Sequence, residues 1–287
     1  MIVKRMKEIY DYRNLIWQLA WSEFKLRYKN SILGYFWSLL EPMLMLVVLY
    51  FIFSNLMRVQ VEYYQLFLLL GIVLWGFMSR ATTIGMFSIV GRASIVKKIY
   101  FPRDIFVISS CITALLMSIF ESLIFIVFMV FFKVPVSINL VYVPLILIFL
   151  FVISLGLSLA LAALNVFYRD VQFIWQVLLQ IGYFATPILY TLDAFPKNLQ
   201  RFILLNPIAR VIISARDTII YSSPAKTEDL LFMFLSSIVF LLVGYIIFFQ
   251  VRTQICGGNL MTAIKVEHLH KTFRIPHQKK EPLSLRL

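Results

Sequence analysis

Charge is scarce in this 287-residue chain: Asp, Glu, Lys and Arg make up 14% of it and hydrophobic residues 61%. Soluble domains carry about 25% charged and roughly 45–50% apolar residues, so an ordinary water-soluble domain is excluded. A solvated basic tail is excluded too, because 27 Phe and 14 Tyr cannot stay in water. Cysteine is scarcer still. Cys111 and Cys256 make no disulfide framework, and neither sits in a CxxC pair or at metal-ligand spacing from a histidine. The three histidines, His268, His270 and His277, crowd near the C-terminal end, where an HxH without a further ligand makes no metal site. Acidic residues are few and dispersed. Asp104 and Asp170 each lack a second carboxylate, a histidine or a nucleophile nearby, which argues against a membrane-embedded glycosyl- or phosphotransferase.

What the chain does have is long runs without charge. A bilayer core about 30 Å thick needs ~20 mostly apolar residues per spanning helix. Uncharged intervals run for 16 residues between Glu41 and Arg58, 17 between Glu62 and Arg80, 35 between Lys133 and Arg169, and 22 each between Asp170 and Asp193 and between Asp229 and Arg252. Asp104 to Lys133 is broken only by Glu121. These intervals predict an all-α membrane protein with six spans near 36–57, 64–88, 105–132, 141–166, 171–192 and 229–251. A β-barrel is excluded because its strands alternate apolar and polar residues, whereas these runs are apolar on every face. The first 30 residues carry no apolar core followed by a cleavage site, so no removable signal peptide is expected.

Basic residues in short loops stay cytoplasmic. Seven precede the first span, and four (Arg92, Lys97, Lys98, Arg103) lie between the second and third. Arg58 and Lys133 alone follow spans one and three, which places both termini in the cytoplasm. The connection 191–228 holds five basic residues yet falls outside in this scheme; with Pro196, Pro207 and Pro224 it reads as short helices or a re-entrant hairpin. Before the first span, residues 15–29 read as an interfacial amphipathic helix within a segment 1–32. Leu15, Leu19 and Leu26 lie near one stripe, Trp17, Trp21, Phe24 and Tyr28 sit beside it, and Lys25, Arg27 and Lys29 point toward anionic lipid. Because the basic residues flank spans and form no separate basic domain, anionic lipid or an acidic polymer is the expected partner, and nucleic acid is not.

Two charges stand deep inside predicted spans, Arg80 and Glu121, and an intramembrane charge is costly enough to be a functional candidate. Counting ~1.5 Å per residue from the cytoplasmic ends puts them at different depths, about 12 and 24 Å, so pairing is left open. An ion relay in a secondary transporter is the rival reading of these two residues. Thr186-Pro187 and Asn206-Pro207 break helices where irregular backbone must be covered by protein or line water; Pro187, Asn206 and Pro207 are therefore candidates for an outer gate, or for a static plug.

Four motifs carry a resemblance: RYKNSILGYFWSLLEPMLM (27–45), IVKKIYFPRDIF (95–106), LNVFYRDVQFIWQVLLQIGYFATPILY (164–190) and LLNPIARVI (204–212). Over roughly residues 10–250 the chain resembles the membrane subunit of ABC exporters of polysaccharides and polyol phosphates, the permeases that move O-antigen, capsule or teichoic acid chains. The resemblance implies a channel built by two copies of the permease, two docked cytoplasmic ATPase subunits and a lipid-linked glycan or polyol phosphate polymer as cargo, in a prokaryotic plasma (inner) membrane. It implies that this chain is no enzyme and binds no cofactor, ATP and Mg belonging to the separate ATPase. By the same resemblance spans one and five face the channel, which makes Phe36, Trp37, Tyr50, Trp175, Tyr183 and Tyr190 candidate lining residues. Aromatic faces suit a sliding glycan because they stack on a sugar ring without gripping any one hydroxyl. The segment Lys97, Lys98, Tyr100, Phe101, Pro102, Arg103 resembles the cytoplasmic element that couples to the ATPase.

After the permease domain 33–252, residues 253–261 read as a linker and 262–287 resemble the opening strand of an ABC ATPase, with Phe273 at the position that can stack on adenine. No GxxxxGK[ST] follows, so no phosphate cradle and no ATP binding by this chain is expected. A fusion vestige, a frameshifted gene junction and a truncation all fit that tail.

Overall fold

The computed structural model describes residues 9–29, 33–56, 61–92 and 102–256. Residues 1–8, the candidate coupling residues Lys97, Lys98, Tyr100 and Phe101, the ATPase-like tail and the side chain of Tyr28 lie outside the described set.

Every regular element among the described residues is helical. Helix α1 covers Arg13–Tyr28; α2, Phe36–Tyr50, continues through a π-helical turn at Phe51–Leu56; α3 covers Tyr64–Phe87 and α4 Asp104–Phe131. A 3-10 turn at Ile138–Val141 leads into α5, Tyr142–Phe167. Then come α6, Val171–Ala185; α7, Lys197–Ile203; α8, Pro207–Ile219; and α9, Thr227–Cys256. The pattern follows from the solvent: inside a bilayer each backbone N–H and C=O must find its partner within the segment, and only a helix does that locally.

Among the described residues five helices are long and apolar enough to cross a membrane: Phe36–Ser54, Tyr64–Phe87, Asp104–Phe131, Ile138–Phe167 and Thr227–Gln250. The predicted fifth span differs. It stops at Ala185, where 15 residues rise only about 22 Å. Pro187 forces the residue before it out of the helical region, and Thr186 is extended with φ −90° and ψ 141°. The charge-free count ran on to 192 because the residues beyond this break are apolar as well.

Helix α3 is the centre of the bundle, the most enclosed of the long helices, packed by α4, α5, α8 and α2. Helix α9 lies against α5, where Gly156 meets Gly244 so closely that a Cβ on either would strike the other helix's backbone. Small residues let two backbones approach where lipid supplies no hydrophobic force to press them together. Helix α1 packs on α4, and here the expected stripe is displaced. Ile16, Ala20 and Phe24 are buried, whereas Leu15 and Leu19 are only half-buried and Leu26, Trp17 and Trp21 are exposed. The i, i+4, i+8 row that meets protein is thus the neighbour of the row expected to meet lipid. Trp17 and Trp21 stack at 6.2 Å between centroids, with the Lys25 ammonium 5.3 Å from the Trp21 ring.

Candidate functional site

The two intramembrane charges meet. Arg80, on α3, and Glu121, on α4, form an ion pair, and the same guanidinium Nη2 donates to Ser118 Oγ at 3.2 Å. Glu121 is 3% exposed and Arg80 21%. The long arginine side chain bridges the depth difference that the residue count suggested. Gly76, one turn before Arg80, makes room for it: a Cβ there would stand 3.1 Å from both guanidinium Nη atoms.

This pair forms part of the wall of a cleft of about 840 Å³ between α2, α3, α4 and α6. Trp37, Trp75 and Tyr183 supply aromatic walls, and Arg27 and Glu41 add a second charge of each sign. Trp75 and Tyr183 stand edge to face with centroids 6.1 Å apart. Gly182 permits that packing, since a Cβ on it would come within 2.7 Å of the Trp75 indole. Two buried polar atoms at the cleft have no hydrogen-bond partner among the described residues: Arg80 Nε and the Tyr183 hydroxyl. The arrangement can therefore offer ring faces to a sugar and the charged side chains of Arg27 and Glu41 to its oxygens and hydroxyls.

The other candidate lining residues separate. Phe36 is exposed at the start of α2 outside this cleft, and Tyr50 packs on Tyr64 at 6.3 Å. Trp175 fastens α6 to α3 by donating its indole N–H to Thr82 Oγ1 at 3.1 Å. Tyr190 lies at the opposite end of α6, its hydroxyl donating to the Phe184 carbonyl at 3.0 Å.

The helix breaks proposed as an outer gate are held together. Asn206 caps α8 by accepting from the Ile208 N–H at 3.0 Å, with Pro207 at the first helical position, and its amide donates to Thr186 Oγ1 at 3.0 Å. The main tie is one that sequence reasoning missed. Arg216, on α8 and 3% exposed, donates to the carbonyls of Phe67 (3.1 and 2.9 Å), Pro187 (2.5 Å) and Ile188 (2.9 Å), with its guanidinium 3.4 Å from the Phe67 ring centre. Burial pulls its pKa down to about 9, which leaves it cationic at neutral pH. In the sequence it is one of five basic residues in a long connection and carries no mark of its own.

Of the coupling segment, Pro102 is buried and Arg103 stands at the N-cap of α4. Nearby, Glu23 of α1 pairs with Arg92 at 2.8 Å and accepts weaker hydrogen bonds from Ser110 and Thr113 of α4. A carboxylate on the predicted interfacial helix is thus fixed to the bundle.

The ABC-2 type transporter profile matches residues 14–220, from the start of α1 through the end of α8. The chain belongs to that family. It is an integral membrane protein of the ABC-2 type, and the resemblance carried by the four motifs holds at family level. Two proteins named O-antigen export system permease protein RfbA, from Klebsiella pneumoniae, are 32% and 30% identical over 231 residues, 80% of this chain and 89% of each relative. A protein of the same name from Myxococcus xanthus is 28% identical over 256 residues, 88% of this chain and 98% of that one.

Proposed function

We propose that this chain is the membrane subunit of an ATP-driven exporter that moves a lipid-linked polysaccharide out of the cytoplasm, an O-antigen-type glycan before a capsule or teichoic-acid-type polymer. The observation that carries the reading is the cleft: aromatic walls from Trp37, Trp75 and Tyr183 around the Arg80–Glu121 pair, in an ABC-2 family chain similar over most of its length to O-antigen export permeases. Ring faces suit a chain of sugars that must slide, and the charged side chains of Arg27 and Glu41 suit its many oxygens and hydroxyls.

In this reading the permease is a homodimer with two ABC ATPase subunits beneath it, which bind the ATP and Mg. Helix α6 turns Phe173, Ile174, Val177, Leu178, Ile181 and Phe184 outward, and none of its residues is buried, which fits a helix completed by a second copy. With α6 and the broken segment after it counted as one crossing, the spans number six and both termini are cytoplasmic, in a prokaryotic inner membrane. Lys97, Lys98, Tyr100 and Phe101 then form the ATPase-facing element ahead of Pro102 and Arg103.

The test is reconstitution of the full chain with its candidate ATPase in liposomes, with hydrolysis measured with and without lipid-linked glycan. The expected result is glycan-stimulated hydrolysis that falls in Trp37→Ala and in the Lys97→Ala/Lys98→Ala variant. Absence of any ATPase binding or response sinks the reading and brings forward ion coupling through Arg80 and Glu121.

A further inference from the structure

A second, smaller cavity of about 240 Å³ lies just beyond the C-terminal end of α6, between the broken segment that follows it and helix α8. Tyr190 and Asp193 come from the segment, Asp217 and Tyr221 from the end of α8 and just beyond it, and Arg216 and Phe67 close the inner side. Its size falls just below the ~300 Å³ at which sites for drug-sized ligands begin, so it takes one small ring and not an oligomer.

The donors and acceptors present select the ligand. Four of the five N–H groups of the Arg216 guanidinium already donate to backbone carbonyls, which leaves at most one Nη1 hydrogen and no bidentate fork for an oxyanion. The carboxylates of Asp193 and Asp217 are neither ion-paired nor hydrogen-bonded among the described residues, and they repel anions. A metal cation is not provided for either: no group of three or more ligating side chains exists among the described residues, and the Arg216 charge opposes one. Ionised carboxylates only accept hydrogen bonds. The fitting ligand therefore donates several hydrogen bonds, bears no net charge and has a flat apolar face to set against Tyr190 or Tyr221.

We infer that this cavity binds a single neutral sugar residue, its hydroxyls donating to Asp193 and Asp217 and its ring face lying on a tyrosine. The inference rests on the reading of the cargo as a glycan, and places a station for it outside the main cleft. Because the cavity draws one wall from the broken segment and the other from α8, an occupied site bridges the two parts that Arg216 already ties together. A sugar held there stabilises the joined arrangement of the outer connection by its differential affinity for that arrangement.

The experiment is saturation-transfer-difference NMR on the full chain in nanodiscs, with methyl glucoside, galactoside, mannoside and rhamnoside as probes and glucuronate and inorganic phosphate as anionic controls. At least one neutral glycoside is expected to give a saturable signal, weakened about tenfold in affinity by Asp217→Asn or Asp193→Asn, since a hydrogen bond to a charged group is lost. The Asn variants keep the shape of the side chain, and an unchanged thermal unfolding midpoint verifies their fold; Tyr221→Ala is the independent variant, at a residue already 39% exposed. Trp17→Ala, on the exposed face of α1 and in neither cavity, is expected to leave the signal intact. The inference is overturned by the absence of a saturable signal from every neutral glycoside, by a stronger signal from the anions, or by a signal that survives the Asp and Tyr221 variants or disappears in Trp17→Ala. Glycan-stimulated ATP hydrolysis in the same preparation separates the two readings: stimulation without outer-cavity binding sinks this inference alone, and no glycan response in either assay sinks the export function.

Discussion

Removing one member of the Arg80–Glu121 pair should destabilise the bundle far more than removing both. Glu121 is 3% exposed, and replacing it by Gln leaves a guanidinium among α3, α4 and the cleft without its counter-charge, the amide oxygen accepting only a weaker hydrogen bond from Arg80 than the carboxylate does. Breaking a buried pair from one side costs about 3–5 kcal/mol, whereas replacing both partners by apolar residues of similar volume is often neutral or stabilising. For a chain of this length ~3 kcal/mol corresponds to a drop of about 6–12 °C in the unfolding midpoint. The assay is a thermal scan of purified protein in one detergent at one scan rate, since unfolding of such proteins is commonly irreversible. Arg80→Met and Glu121→Gln are each expected to lower the midpoint by that amount, and Arg80→Met/Glu121→Leu to recover most of it. The amount by which the double variant's loss falls short of the sum of the two single losses is the coupling energy of the pair. Midpoints that fall additively in the double variant would refute the reasoning, since they would mean the two residues act independently. If the double variant is as stable as wild type yet unresponsive to glycan in the ATPase assay, the pair serves transport and not folding.

Arg216→Met should leave the Phe67, Pro187 and Ile188 carbonyls without their donor, at about 1–3 kcal/mol for each that finds no water; hydrogen exchange should accelerate in 186–193, and Arg216→Lys should restore only part because an ammonium lacks the planar fork. Gly244→Val should prevent α9 from seating on α5, seen as loss of monodisperse protein on size exclusion, while Gly91→Ala, with nothing within 4 Å of its added Cβ, should not. Phe24→Ala should loosen α1 from α4 by about 3–5 kcal/mol, whereas Glu23→Gln, whose pair with Arg92 is partly exposed, should cost about 1 kcal/mol or less; proteolysis between α1 and α2 distinguishes them.

The spans were legible because the bilayer imposes one rule along the whole chain, that a crossing segment has no unpaired charge, and five of the six expected runs appear as long apolar helices. The same rule failed at α6, where Pro187 ends the helix but the residues beyond are still apolar, so charge spacing could not register the stop. Composition also cannot tell a solvated arginine from a buried one. Arg216 and Arg201 sit in the same connection, yet of the two only Arg216 meets the Phe67, Pro187 and Ile188 carbonyls, and the last two stand outside any helix because α6 breaks before Pro187. The cleft was half legible. Trp37, Tyr183, Arg80, Glu121 and Arg27 converge on it as candidate residues named for separate reasons, whereas Trp75 was lost among the apolar residues of α3. The glycines at 76 and 182 were the available signals, each a position where a large neighbour needs the space of a missing Cβ.

Helices surrounded by lipid gain little from hydrophobic pressure against each other, so polar ties between elements decide which parts of the bundle keep their register. Those ties are unevenly placed. Glu23–Arg92 fixes α1 to the end of α3, Arg80–Glu121 fixes α3 to α4, Arg210–Asp229 at 2.6 Å fixes α8 to α9, and Arg216 fixes α8 to α3. Among the described residues no ion pair or hydrogen bond joins α2 to another helix, and α6 is tied within its length only by Trp175 to Thr82. Yet α2 and α6 contribute Trp37, Glu41 and Tyr183 to the cleft. The walls facing the proposed cargo thus come from two helices with few polar ties, set against a frame of α3, α4 and α8 that is cross-linked by such ties. A cleft that must widen for a glycan and close behind it is built most economically in this way: displacement of α2 and α6 disrupts van der Waals contacts and one indole hydrogen bond, while movement of α3 against α4 would strand two buried charges.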